Sequence, residues 1–294
     1  MTTPVRYRVV HETRYTYSGT VTSSRQLAHL QPRVTSWQDV HRHRISVSPT
    51  PAERADGDDY FGNSVLRFAV YEPHDELVVR AESEVTVRDY LEGIGNKSSP
   101  WEAALAPKTT AGASIDLDVE QYRVGSRMAP ALVEAADYAR ESFESKRNWL
   151  DAMLDLTHRI HDDFAYDSKA TTVTTRVLEV LEHRRGVCQD FAHLMISCLR
   201  SLGLPARYVS GYVLTRAPEG RPRLVGADAS HAWVASCCPG YGWVAFDPTN
   251  AKLANTEFVT LGWGRDFSDV TPLRGVVLGA ADQQLSVAVS VQPA

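Results

Sequence analysis

The feature that most constrains the fold of this chain is a change of period. Through the first ninety residues, apolar side chains recur at every second position; in the second half they recur at helical spacing. In Tyr7–Tyr17 the odd positions hold Tyr7, Val9, His11, Thr13, Tyr15 and Tyr17, whereas Arg8, Glu12 and Arg14 lie between them. The same alternation runs through Leu77, Val79, Ala81, Ser83, Val85 and Val87, interleaved with Arg80, Glu82 and Glu84. A period of two places one set of side chains inside and the other in water, which is a half-buried strand. Pro49, Pro51, the run Asp56-Gly57-Asp58-Asp59 and Gly62-Asn63 supply turns. Residues 1–90 are thus expected to form an antiparallel β-sandwich domain.

Residues 91–130, punctuated by Gly93, Gly95, Pro100 and Pro107, read as a crossing segment. Helical spacing follows in Leu132, Ala136, Ala139 and Phe143, then from Leu150 through Met153, Leu154, Thr157 and Ile160 to Phe164. A third helix holds Val177, Leu178 and Leu181, and a fourth runs from about Cys188 to Leu202, where Gly203 and Pro205 stop it. Strands are expected over Arg207–Leu214, His231–Ser236 and Trp243–Phe246, with further alternation at Leu285, Val287 and Val289. The expected class is α+β: a sandwich over 1–90, then a core over 131–294 of helices packed on an antiparallel sheet, with the C-terminal strands assigned to that core.

Composition narrows the function. At 43% hydrophobic and 23% charged residues, the chain buries a real core, and a net charge of −5 offers no general field for nucleic acid or an acidic membrane. No apolar run is long enough to span a bilayer, and Met1-Thr2-Thr3-Pro4-Val5-Arg6 leads directly into charged, alternating sequence. With four cysteines in a chain of this length, reduced thiols in the cytoplasm are the expectation.

Three segments concentrate reactive residues. In His183-Arg184-Arg185-Gly186-Val187-Cys188-Gln189-Asp190, Gly186 breaks one helix and Cys188 opens the next. There the unpaired N–H groups and the positive end of the dipole favour thiolate and can receive an oxyanion. Ser230-His231-Ala232-Trp233 begins a strand, and Trp243-Val244-Ala245-Phe246-Asp247 ends one. The turn Pro239-Gly240-Tyr241-Gly242 between them predicts a hairpin. With pairing centred at or near residue 239, His231 and Asp247 share a face; a slip of one residue separates them. In that register Asp247 holds one imidazole nitrogen and leaves the other for Cys188, giving nucleophile, base and orienting carboxylate.

These blocks resemble the bacterial transglutaminase-like superfamily: Gly186-Val187-Cys188-Gln189-Asp190-Phe191-Ala192-His193, Ser230-His231-Ala232-Trp233 and Phe246-Asp247-Pro248-Thr249-Asn250. Upstream, Phe164-Ala165-Tyr166 fits the same pattern. His11-Glu12-Thr13-Arg14-Tyr15-Thr16-Tyr17, Leu30-Gln31-Pro32-Arg33 and Asp59-Tyr60-Phe61-Gly62-Asn63 resemble the β-domain that precedes the core in one bacterial branch. The resemblance implies a papain-like core, described in that family as a cysteine protease, with Cys188 on the helix and His231 and Asp247 on the sheet. It further implies an oxyanion donor upstream of the cysteine, for which Tyr166 is the candidate. Gln189 is a second candidate, although its side chain is equally suited to cap the helix. Trp233, two residues beyond His231, is expected to shield the site or form an acyl-binding wall.

The expected activity is cleavage or transfer at amide bonds of a peptide or protein substrate, through an acyl-thioester on Cys188, with hydrolysis ahead of amine transfer and no cofactor. Two other readings compete. One is a non-catalytic peptide-binding module on the same fold; the other is a thiol acyltransferase using small thioesters, whose N-terminal region would be helical rather than alternating. Cys198 and the pair Cys237-Cys238 read as structural. Asp190 reads as a complement to the helix dipole. His158 and His161, with Asp162, lack a third metal ligand at suitable spacing and read as solvated helix residues.

Overall fold

A computed structural model of the chain describes residues 3–109, 115–214, 230–279 and 282–294. In chain order the elements are β1 (Val5–Val21), β2 (Ser23–Ala28), β3 (Gln38–Ser48), β4 (Glu53–Asp58), β5 (Ser64–Val70) and β6 (His74–Val87), then the short helices α1 (Ile94–Lys97) and α2 (Leu117–Glu120). The core follows with α3 (Val133–Arg140), α4 (Trp149–Asp163), β7 (Ala165–Tyr166), α5 (Val177–His183), β8 (Arg185–Gly186) and α6 (Cys188–Ser201). After these come β9 (Ala206–Val213), β10 (Ser230–Cys238), β11 (Gly242–Asp247), β12 (Lys252–Leu253), β13 (Phe258–Gly264), β14 (Leu273–Leu278) and β15 (Gln283–Pro293).

The alternation of the first ninety residues becomes two four-stranded sheets, ordered β15-β1-β6-β3 and β14-β2-β5-β4. Tyr17, Leu66, Phe68, Val70, Leu77 and Val79 fill the space between them. β14 and β15 sit in these sheets and not in the core, contrary to the sequence assignment over 131–294. Leu273–Leu278 pairs with β2, and Gln283–Pro293 pairs along β1 from Tyr17↔Gln283 to Tyr7↔Pro293. The reason is that β1, a central strand, needs a second partner, and apolar residues of β15 such as Val289 and Val291 complete a cluster with Tyr7 and Val9. Alternation identifies a strand but not the strand it pairs with.

In the core, a five-stranded sheet is ordered β12-β11-β10-β9-β13, antiparallel at every pairing. Val234, Val244 and Phe246 face α6, whose Phe191, Leu194, Met195, Cys198 and Leu199 are buried with Trp149, Met153, Leu156 and Ile160 of α4. α4 starts at Asn148, whose side-chain oxygen accepts from the Leu150 and Asp151 amides, a cap that contributes about 1 kcal/mol. On alternate positions of the sheet, Trp233, Ala235, Ala245 and Val209 gather with Phe258 on the opposite face. The buried Arg200 of α6 binds the crossing segment to the core by donating to the carbonyls of Tyr122, Ala129, Ala206 and Arg265.

The two domains are locked by side chains of the β-domain that bond to the backbone of β13. Gln38 donates to the Thr260 carbonyl and accepts from the Thr260 amide, each at 2.8 Å. Asn63, 1% exposed, accepts from Arg33 Nη1 and the Trp263 amide, and donates to Asp59 and the Trp263 carbonyl. A Cβ on Gly262 would stand 2.6 Å from the Asn63 oxygen, so the close approach requires glycine there.

Candidate active site

Gly186 and Val187 set the start of α6. Asp190, third residue of the helix and 2% exposed, turns its carboxylate back to accept from the Val187 amide at 2.8 Å and from Thr171 Oγ1 at 2.6 Å. This half of a capping box satisfies the amide just before Cys188. A Cβ on Gly186 would stand 2.9 Å from both the Cβ and Oδ2 of Asp190, so the tight entry into the helix depends on glycine. Asp190 is therefore a cap, as expected of an acidic first turn. It also anchors the loop containing Thr171. Burial raises its pKa, against the lowering effect of its two donors.

Cys188 is half-buried at the first position of this helix. The parallel pair β7 and β8 sets Tyr166 beside Gly186. Tyr166 is 60% exposed, and burial together with the charge of Cys188 raises its pKa. The Gln189 side chain does not cap its own helix; it donates to the Val173 carbonyl at 3.2 Å, which fastens the following loop to α6.

The hairpin of β10 and β11 is centred on Gly240, with pairs running from Cys238↔Gly242 to Val234↔Phe246. Continued one step, this register sets Trp233 across from Asp247, and His231 lies one diagonal step further on the same face. The parity expected from sequence is preserved. His231 Nε2 lies 2.8 Å from Asp247 Oδ2, with the histidine side chain 9% exposed and the carboxylate fully buried. Asp247 occupies Nε2 and leaves Nδ1 for a second partner, and Cys188 lies near enough to the ring to raise its pKa. Burial pulls the His231 pKa down, but the interactions with Asp247 and Cys188 outweigh it and raise the pKa to about 10. Asp247 is shifted in the opposite direction: burial acts to raise its pKa, and His231 and Asn250 together bring it below the usual carboxylate range.

Two residues that the sequence reading left outside the site bond to this arrangement. Asn250 Nδ2 donates to Asp247 Oδ2 at 2.6 Å, while Asp247 Oδ1 accepts from the Thr249 and Asn250 amides. His161, at the end of α4, is exposed, as expected of a solvated helix residue, and donates from Nδ1 to the Thr249 carbonyl at 2.8 Å, which ties it to the aspartate loop. The signal for Asn250 was present in the Asp247-Pro248-Thr249-Asn250 block, where an Asx turn is a common reading. Nothing local pointed from His161 to residue 249.

Trp233 is 1% exposed and lies under His231, with ring centres 6.1 Å apart, and it packs edge-on against Phe258. It supports the imidazole from below and presents no wall to a substrate. Cys198, Cys237 and Cys238 are buried free thiols. Among the described residues no group of three or more potential ligands could hold a metal, and no helix is long and apolar enough to cross a membrane.

Comparison with known proteins agrees with this fold. Residues 7–86 match the bacterial transglutaminase-like N-terminal region, and residues 136–248 match the transglutaminase-like superfamily. An uncharacterised protein of Mycobacterium tuberculosis is 39% identical over 297 residues, covering 98% of this chain and 93% of that one. A protein-glutamine gamma-glutamyltransferase of Pseudomonas aeruginosa is 32% identical over 117 residues, 39% of this chain and 17% of its own length. Among solved structures, a "putative cysteine protease" from Cytophaga hutchinsonii superposes with a TM-score of 0.76 at 19% identity, covering 99% of this chain and 91% of that one.

Proposed function

The chain belongs to the transglutaminase-like superfamily, and on that premise we propose that Cys188, His231 and Asp247 act as a catalytic triad on amide bonds of peptides or proteins. The observation that carries this reading is the buried His231–Asp247 pair, 2.8 Å apart, on the sheet against which the helix opened by Cys188 is packed.

In the proposed reaction the Cys188 sulfur attacks the substrate carbonyl carbon. A C–S bond forms and the carbonyl electrons move to oxygen, which the Cys188 backbone N–H and a donor from Tyr166 or Gln189 stabilise at the helix N-terminus. As the tetrahedral species collapses, the C–N bond breaks and imidazolium gives its proton to the departing amine. An acyl-thioester remains. Water then adds to it while His231 takes a proton, the C–S bond breaks, and the acid leaves with Cys188 restored. The half-buried thiol beside an exposed Tyr166 favours access by water, so hydrolysis is placed ahead of transfer to an amine. Asp247 holds the ring and balances its positive charge. The four free thiols accord with a reducing, cytoplasmic setting, which is part of the proposal.

The test is the rate of Cys188 alkylation by iodoacetamide against pH, in the wild type and in His231→Ala, followed by mass spectrometry. Rapid reaction well below the free-thiol pKa of about 8.5, lost in the variant, supports the proposal. A rate that follows free cysteine in both proteins defeats it. A peptide-library assay comparing product acid with incorporated amine then decides the acceptor.

A further inference from the structure

A second site lies at the junction of the two domains. There a cavity of about 760 Å³ is bounded by the β-domain loops around residues 33–37 and 60–62, by residues 118–122, and by the turn of the β10–β11 hairpin. Arg207 of β9 lines it, although it is only 5% exposed. Its guanidinium is stacked between two indoles, with Cζ 3.7 Å from the ring centre of Trp263 and 4.1 Å from that of Trp243. Arg33 stacks on Trp263 in turn, at 3.8 Å.

Stacking occupies the faces of a guanidinium and leaves its in-plane N–H groups to find acceptors. Arg207 Nε is buried and has no hydrogen-bond partner among the described residues. Burial is the main influence on its pKa, and the titratable groups that follow, Tyr122, Arg33, Tyr90 and Cys237, include no carboxylate. Arg33 is bonded to the neutral Asn63 side chain, with Asp59 and Asp58 further off. The acid lining the cavity is Asp118, exposed at its rim. Buried charges in proteins are ordinarily paired, and an orphaned buried donor calls for an explanation, of which a bound anion is one. The remaining walls are aromatic, with Trp37, Tyr60 and Tyr122 among them.

We propose that this cavity binds an organic anion, a carboxylate or phosphate on a flat aromatic body, with the anion against Arg207 and Arg33 and the ring among the aromatic side chains. Arg207 pairs with Ala235, four residues along β10 from His231, or about 13 Å at strand spacing. The site is thus separate from the thiol, and its occupancy does not depend on the proposed catalysis.

The experiment is a fluorescence and calorimetric titration of the full chain with 2-naphthoate, 2-naphthyl phosphate and the uncharged 2-naphthamide. Saturable binding of at least one anion, with no saturable binding of the amide, is expected. Arg207→Met and Arg33→Met should each weaken anion binding by about tenfold or more, while Cys188→Ser leaves it unchanged. The tighter of the two anions identifies the preferred group. Equal binding of anion and amide, or no saturable binding, overturns the proposal in the wild-type protein alone, whether or not Arg207→Met folds. Undiminished binding by folded Arg33→Met overturns it as well.

Discussion

The imidazole Nε2 of His231 stands 2.8 Å from Oδ2 of Asp247, on a carboxylate with no exposed surface. A buried charge held at that distance keeps its partner protonated well above the ordinary range of histidine, and the His231 pKa is raised to about 10. Asp247→Asn preserves the shape and removes the charge. We expect it to lower turnover of a peptide substrate by about a hundredfold or more, and to slow Cys188 alkylation at pH 6, where His231 would no longer be held as a cation.

Asn250 donates to the same carboxylate oxygen that His231 holds. Asn250→Ala removes one donor and leaves the two backbone amides in place. The expected result is a fall in turnover of about tenfold with little change in substrate affinity, because the lost contact orients Asp247 and not the substrate. Steady-state kinetics separates the two quantities.

Gly186 and Asp190 set the entry into α6. Gly186→Ala drives a methyl group into the Asp190 side chain, and should cost about 1–3 kcal/mol of stability in urea denaturation. Asp190→Ala leaves the Val187 amide without its acceptor and should cost about 1–2 kcal/mol. Both changes should slow Cys188 alkylation, since that amide precedes the nucleophile.

The Asn63 side chain makes four hydrogen bonds, two to Arg33 and Asp59 within the β-domain and two to the Trp263 backbone that secure the β-domain to β13. Asn63→Ala strands those buried backbone groups, and an expected loss of about 2–4 kcal/mol would be read by chemical denaturation. The alkylation rate of Cys188 in the folded variant should stay near that of the wild type, because no residue of the thiol site touches Asn63.

Two buried histidines predict acid sensitivity. Burial lowers the pKa of His11, held between Tyr212 and Thr13, and of His193, whose Nε2 accepts the Phe267 amide, from 6.5 to about 4 in each case. Between pH 6.5 and 4 the unfolded chain therefore binds more protons than the folded one, and stability falls as pH falls through that window. A combined slope on the order of 1–3 kcal/mol per pH unit is expected from denaturation at several pH values. His11→Gln should remove only the share that His11 carries, since burial lowers His43 and His29 in the same direction.

The layout of the candidate site was legible in sequence because each of its elements leaves a local trace. Gly186 and the helical spacing after it mark where Cys188 begins α6, and the period of two fixes which face His231 and Asp247 share. The register was readable only in parity: the turn closes on Gly240, with the Tyr241 amide bonded to the Cys238 carbonyl, and this makes His231 and Asp247 diagonal instead of directly opposed. What escaped depends on contacts between distant segments. His161 meets Thr249 across 88 residues, Trp233 is sealed from above by the very histidine it supports, and the partner of β15 is named nowhere in its own alternation.

That last pairing has a consequence for how the molecule is made. β1 lies between β6 and β15, and the amide of Ala294 reaches back to the carbonyl of Arg6 at 2.9 Å. The thiol core is in effect an insert, spliced between the two parts of one sandwich. During synthesis β1 and β6 can pair early, yet the outer edge of β1 stays open until the ribosome has delivered the entire core and then β15. A nascent chain would therefore carry an unpaired sheet edge while the whole core is made, and closing that edge would wait on a strand delivered after it.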